Sequence, residues 1–345
     1  MSGLHSPADL AAAGLAAPQA VAALETVTAR YAMAITPEIA ALIDPLDPRD
    51  PIRRQFVPDV AELETRPQER ADPIGDQAHS PVEGIVHRYP DRVLLKLLHA
   101  CPVYCRFCFR RETVGPGGAG MLSGAALEAA LAYIRSDPGI WEVILTGGDP
   151  LALSPRRLGE TMEALAAISH VKVVRLHSRV PAVDPSRITP DVIAALKRFP
   201  RAVYVALHAN HPRELTPGAR AACARLIDSG VVMVSQSVLL AGVNDDAAVL
   251  ADLMRAFVET RIKPYYLHHP DLAPGTSHLR VSIARGQELV RALLGRVSGL
   301  CQPAYVLDIP GGFGKSPIGP TYLTQAGQGW RVEDFQGAAH DYDDV

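Results

Sequence analysis

The chain has 345 residues, 48% of them hydrophobic and 21% charged, with a formal net charge of −3. That length buries a full core as one large domain or two smaller ones. There is no basic stripe for direct nucleic-acid binding and no apolar run of the about 18–20 residues that cross a bilayer. Asp9 and Glu25 interrupt the Ala-rich start, which lacks the pattern of a signal peptide, and five cysteines, three of them clustered, fit a reducing cytoplasm rather than a disulfide framework.

Residues 8–45 are rich in Ala and Leu and predict one or two helices; residues 46–85 carry many Pro and Asp and predict an irregular linking segment. A regular alternation follows. Runs rich in Val, Ile, Leu and Tyr, with little polar interruption, predict strands at 92–98, 142–145, 172–176, 202–207, 231–238, 263–267 and 304–307. Continuous apolar runs of this kind belong to strands buried on both faces. Between them, Leu127, Leu131 and Ile134 fall on one helical face, and Thr189-Pro190 and Thr216-Pro217 combine an N-cap with a proline at the first helical position. Strand–helix repetition means right-handed βαβ units and a parallel sheet. Periodicity alone leaves an open doubly wound sheet and a barrel equally available.

Polar residues and glycines gather directly after these strands, as in Thr146-Gly147-Gly148-Asp149, His177-Ser178-Arg179 and His208-Ala209-Asn210-His211, with Asp271 and Asp308 after the late ones. The C-terminal strand ends are where α/β folds build their sites. The most specific motif follows the first strand. In Cys101-Pro102-Val103-Tyr104-Cys105-Arg106-Phe107-Cys108, the spacing C-x₃-C-x₂-C offers three thiolates and no fourth. A cubane iron–sulfur cluster held this way keeps one iron open for S-adenosylmethionine, whereas structural zinc takes four closed ligands. Cys223 and Cys301 are single and distant, and His99 falls in an apolar run.

The other candidates carry weaker local signals. Arg88 and Arg92, four apart around Tyr89, make a phosphate clamp or a solvated basic turn. Gly147 and Gly148 permit a close backbone approach or a simple turn. Lys315, on Gly311-Gly312-Phe313-Gly314, lacks phosphate-loop spacing and suits a Schiff base to an aldehyde cofactor or an exposed turn. Asp271 and Asp308 read as a paired-carboxylate site or as helix caps. Arg110 suits a substrate carboxylate beside the cluster, with Arg111 indistinguishable by spacing. His208 and His211 read as ligands or as satisfied polar residues, and Gln236 within an apolar strand points to a polar pocket.

With these residues the chain resembles the lysine 2,3-aminomutases, radical S-adenosylmethionine enzymes that also use pyridoxal 5′-phosphate. The resemblance spans residues 75–325 and is strongest to the shorter bacterial branch that makes (R)-β-lysine for elongation factor P. It implies an α/β fold, a partial (β/α)6 barrel of TIM type with an N-terminal helical region. The parts would be 1–85 (helices and linker), 86–310 (barrel) and 311–345 (lysine loop and tail). It also implies roles. Cys101, Cys105 and Cys108 would hold the [4Fe–4S] cluster. Gly147, Gly148 and Asp149, with His208 and Gln236, would meet S-adenosylmethionine. Lys315 would carry the pyridoxal phosphate, and Arg88, Tyr89 and Arg92 would hold that cofactor and its phosphate. Arg110 would bind the α-carboxylate of L-lysine, and Asp271 with Asp308 its ε-ammonium.

The implied reaction takes a hydrogen from C3 of lysine, moves the amino group from C2 to C3, and returns the hydrogen. A flavodoxin or ferredoxin would supply the electron, elongation factor P and its lysyl ligase would use the product, and the enzyme would be a cytoplasmic homo-oligomer. The sequence departs from the larger family members at His268, where they carry a tyrosine, and in lacking their cysteine-rich zinc extension. A glutamate 2,3-aminomutase is disfavoured by the Asp271/Asp308 pair, since two carboxylates repel an anionic side chain. An inactive iron–sulfur relative is disfavoured by the intact cysteines, Lys315 and Arg110.

Overall fold

The computed structural model describes residues 3–115 and 120–343. Its frame is a nine-stranded sheet whose spatial order follows the chain order. A short hairpin starts it: β1 (Ile85–Tyr89) runs antiparallel to β2 (Arg92–Leu98). From β2 the strands are parallel: β3 (Glu142–Gly147), β4 (Val173–Ser178), β5 (Ala202–His208), β6 (Val232–Val238), β7 (Lys263–His268) and β8 (Ala304–Asp308). The three-residue β9 (Lys315–Pro317) turns back antiparallel on β8. Each predicted strand is present, and the sheet curls into a half-barrel of six strand–helix units with β8 as a seventh parallel strand.

The N-terminal region is more broken than its composition suggests. It holds α1 (Pro7–Ala12), α2 (Val21–Arg30) and the single-turn α3 (Pro37–Ala40). Gly14, in the left-handed region at φ +72°, ends the first segment, and Pro18 prevents its continuation. The segment read as irregular linker contains α4 (Pro51–Phe56), set by Asp50, which accepts from the N–H groups of Ile52 and Arg53 with Pro51 at the first helical position.

The crossovers are α5 (Gly124–Ser136), α6 (Pro155–Ala166), the pair α7 (Val180–Val183) and α8 (Pro190–Leu196), α9 (Pro217–Asp228), α10 (Ala247–Glu259) and α11 (Ile283–Arg291). Side-chain caps start most of them: Ser123, Ser154, Thr189, Thr216, Asp246 and Ser282 each accept from a first-turn N–H. One apolar core runs from Leu4 through the strand faces to Tyr305, so the N-terminal region and the barrel share it. Beyond β9 a three-stranded meander forms from β10 (Leu323–Ala326), β11 (Gly329–Glu333) and β12 (Ala339–Tyr342). It packs on α11 through an Arg291–Glu333 ion pair. No described helix is long and apolar enough to cross a membrane.

Candidate active site

All the parallel strands end at one mouth, and most candidate residues lie at or just after those ends; Arg88, Tyr89 and Arg92 lie instead on the β1–β2 hairpin, where Arg92 opens β2. The cysteine loop leaves β2. Its backbone hangs on the N-terminal region, with Tyr104 N donating to Ala34 O at 3.1 Å and Arg106 N to Gln55 O at 2.8 Å. Arg106, between the second and third cysteines, is buried against Glu62. Its Nε reaches Oε1 at 2.9 Å, and its Nη1 reaches Ala32 O at 2.8 Å. Arg111 turns to the same carboxylate and stacks 3.6 Å from the Tyr31 ring. Burial alone raises the Glu62 pKa; the two guanidinium groups more than reverse this and hold it below the usual range.

This separates the two arginines that spacing leaves equivalent. Arg110 turns the other way, to Thr146 Oγ1 at 3.3 Å and to Asp76 Oδ2 at 2.9 Å. Asp76 also accepts from Arg88 at 3.2 Å. It belongs to a strap, residues 74–79, laid across the mouth: Arg88 donates to Ile74 O at 2.7 Å, and His79 Nε2 lies 2.9 Å from Gly312 O. The two arginines of the expected clamp thus have different partners. Arg92 pairs with Asp91 and lies over the Tyr89 ring at 3.9 Å.

Gly147 and Gly148 make their close approach to the chain itself. A Cβ on Gly148 would stand 2.1 Å from Ala100 O, and one on Gly147, at φ +104°, 2.4 Å from Leu98 O. Gly148 N and Asp149 N donate to Leu98 O and Ala100 O at 2.5 and 3.0 Å. The end of β3 is thus pressed against the residues that lead into Cys101. Asp149 is buried and accepts from Arg179 N at 2.7 Å and Leu151 N at 3.0 Å, so it holds the turn between β4 and α7. Burial raises its pKa.

His208 ends β5 with its ring 5.6 Å from that of Phe107 in the cysteine loop. Its Nε2 is buried with no hydrogen-bond partner among the described residues. Gln236, on β6, donates to His177 Nε2 at 3.2 Å; burial lowers the pKa of both histidines, keeping them neutral. Lys315 opens β9. Its Nζ lies 2.6 and 2.8 Å from the two oxygens of Asp308, and its backbone N donates to Tyr89 Oη at 2.7 Å. His268 Nδ1 is 3.5 Å from Asp308 Oδ2. Burial alone raises Asp308; the His268 hydrogen bond and the Lys315 charge outweigh it and hold the carboxyl below the usual range. Asp271 is half-buried after β7, and burial and then the negative charge of Asp308 push its pKa up to about 7.

Sequence reasoning missed Asp76, Glu62 and Glu214, and it named Arg179 only within a polar run. Glu62 and Glu214 are fully buried acids, each paired with arginine. Structural zinc takes four closed ligands, and the loop offers three thiols. A cubane suits the three cysteines, because each thiolate takes a different iron.

Residues 95–254 match the Radical SAM superfamily, the class that a half-barrel with this cysteine loop at its mouth defines. The L-lysine 2,3-aminomutase of Acetoanaerobium sticklandii is 42% identical over 90% of this chain and 75% of its own. That of Escherichia coli is 37% identical over 79% of each chain. The glutamate 2,3-aminomutase of Clostridioides difficile is 37% identical over 88% of this chain and 71% of its own. The chain belongs to the lysine 2,3-aminomutase family and is an isomerase of the radical S-adenosylmethionine class. Its cofactors are a [4Fe–4S] cluster, S-adenosylmethionine and pyridoxal phosphate.

The residues present fit that set. Cys101, Cys105 and Cys108 line one small cavity with Tyr104 and Arg111. Burial raises all three thiol pKa values, Cys108 to about 11, so loading iron must release protons. The unpartnered His208 Nε2 leaves a polar atom free toward a ligand, and Lys315 presents an amine at the mouth.

Proposed function

We propose that the chain converts L-lysine to β-lysine by moving the α-amino group to C3. One observation carries this reading: the Asp308 carboxylate already grips a lysyl ε-ammonium, that of Lys315, through both oxygens. The site therefore has the charge and the reach for the end of a lysine side chain. When bound, the cluster and S-adenosylmethionine supply hydrogen abstraction and return, and pyridoxal phosphate carries the migrating nitrogen.

The protein's own part is position. Cys101, Cys105 and Cys108 hold the cluster, with Gly147, Gly148, Asp149, His208 and Gln236 around the S-adenosylmethionine site. Arg88, Tyr89 and Arg92 receive the pyridoxal phosphate, and Lys315 anchors it. Arg110 takes the substrate carboxylate in exchange for Asp76, and Asp308 with Asp271 takes the ammonium in exchange for Lys315. Held at both ends, the C3–H is fixed, and a displacement of about 1 Å costs on the order of 100-fold in rate.

The same proposal places the enzyme in the cytoplasm, where its five unpaired cysteines stay reduced. A flavodoxin or ferredoxin serves as electron donor, and the product goes to elongation factor P through its lysyl ligase. The test is anaerobic incubation of the reconstituted enzyme with L-lysine or L-glutamate, followed by chiral product analysis. β-Lysine is expected; β-glutamate without β-lysine would overturn the reading.

A further inference from the structure

Arg179, the first residue after β4, is held more tightly than a strand-end turn requires. Its Nη1 lies 3.0 Å from Cys105 Sγ, and its Nη2 meets Gln55 Oε1 at 3.2 Å and pairs with Glu214. The guanidinium carbon sits 4.8 Å from the Phe56 ring and 5.5 Å from that of Phe107. Glu214 is equally fixed: its Oε1 accepts from Asn210 N at 2.8 Å, His211 N at 2.9 Å and Gln55 Nε2 at 3.1 Å. Four parts of the chain thus lock one cation against one cysteine sulfur: α4, the cysteine loop, the end of β4 and the loop after β5. The resulting arrangement is a line of charge, from sulfur through guanidinium to carboxylate, closed to water, with Arg179 7% and Glu214 0% exposed.

Reduction adds one negative charge to a cluster, and hydrogen bonds and charges at its sulfurs set how readily it accepts that charge. We propose that Arg179 and Glu214 are a buried charge pair that sets the reduction potential of the cluster through Cys105, Arg179 raising it and Glu214 holding it down. This rests on the cluster assignment and assigns the pair a positioning and tuning role, with no contact to substrate. Its benefit is control: the arginine makes reduction easier, and the glutamate keeps the reduced cluster strong enough to pass its electron on.

The test is a reductive titration followed by electron paramagnetic resonance on anaerobically reconstituted full-length protein, without S-adenosylmethionine, for wild type, Arg179→Gln, Arg179→Lys and Glu214→Gln. Gln at 214 keeps a carbonyl oxygen for the Asn210 and His211 N–H groups. Arg179→Gln is expected to lower the potential and Glu214→Gln to raise it. A tenfold change in the reduction equilibrium corresponds to about 59 mV for one electron. Arg179→Lys, which keeps the charge, should move least. Opposite signs from the two halves of one pair are something a purely structural bracket does not produce. Shifts of the same sign, or unchanged potentials with full iron and sulfide, overturn the proposal. If Arg179→Gln does not load a cluster, the sign for Glu214→Gln decides alone. Loss of cluster from all three variants while wild type loads also overturns it. Failure of wild type itself to load iron and sulfide would instead refute the cluster assignment.

Discussion

Replacing Asp271 by Asn should stabilise the ligand-free protein, and by an amount that grows with pH. The carboxyl has its pKa raised from 3.8 to about 7, by burial and then by Asp308. Below pH 3.8 the group is protonated whether the chain is folded or not, and it contributes no difference. Between those values the unfolded chain ionises while the folded one keeps its proton, so stability falls as pH rises; above the folded value both are ionised and the full cost is present. At 1.36 kcal/mol per pH unit, the rise amounts to a ceiling of about 4 kcal/mol at pH 8 and about 2 kcal/mol at pH 5, trimmed by the water that reaches a half-buried side chain. Asn keeps the shape without the ionisation. Urea midpoints of ligand-free wild type and Asp271→Asn, taken from pH 5 to 8, should therefore diverge with rising pH. Added L-lysine should narrow the gap, because an ammonium favours the ionised form. A difference that stays constant across pH would refute the reasoning.

Four other changes test the rest of the site. Cys105→Ala should abolish cluster binding, and retention of full iron and sulfide would remove that cysteine from the set. Lys315→Ala should lose borohydride labelling by pyridoxal phosphate; labelling equal to wild type would place the anchoring lysine elsewhere. Gly148→Ala forces a methyl group onto Ala100 O, 2.1 Å away, and should cost about 1–3 kcal/mol and weaken cluster retention. A variant with wild-type stability and iron content would show that this contact relaxes freely. Glu62→Ala leaves two buried guanidinium groups unpaired and should cost about 3–5 kcal/mol, read from denaturant unfolding; a loss under 1 kcal/mol would mean that water replaces the carboxylate.

The parallel strands are legible in the sequence because burial on both faces writes a continuous apolar run. The sheet's ends are not. In β1 the run Ile85–Tyr89 ends in His, Arg and Tyr, and β9 is three residues holding a lysine and a proline. The residues of β10 and β12 are all exposed, so they carry no buried apolar run. The N-terminal helices are visible in composition, but only Gly14 and Pro18 say where they break.

Most candidate residues are legible for a local reason: they follow a strand or sit in a short motif, and the fold brings strand ends together. What the sequence conceals is partnership. Glu62 meets Arg106 across 44 residues, and Arg179 meets Cys105 across 74. An acid in a helix-capping position and an arginine after a strand have no spacing that announces such pairs. Asp76 is hidden in the same way, in a Pro- and Asp-rich stretch that looks like linker until Arg88 and Arg110 close on it.

The bond between Lys315 N and Tyr89 Oη also links the two margins of the half-barrel. Tyr89 belongs to the first strand of the sheet and Lys315 to the last, so the two margins meet at this phenol. Elsewhere neighbouring strands are joined by a backbone ladder; here the wall is fastened by a clasp whose net strength is about 1 kcal/mol, with the 74–79 strap laid beside it. Lys315, proposed above as the pyridoxal phosphate lysine, stands on that line between the two margins.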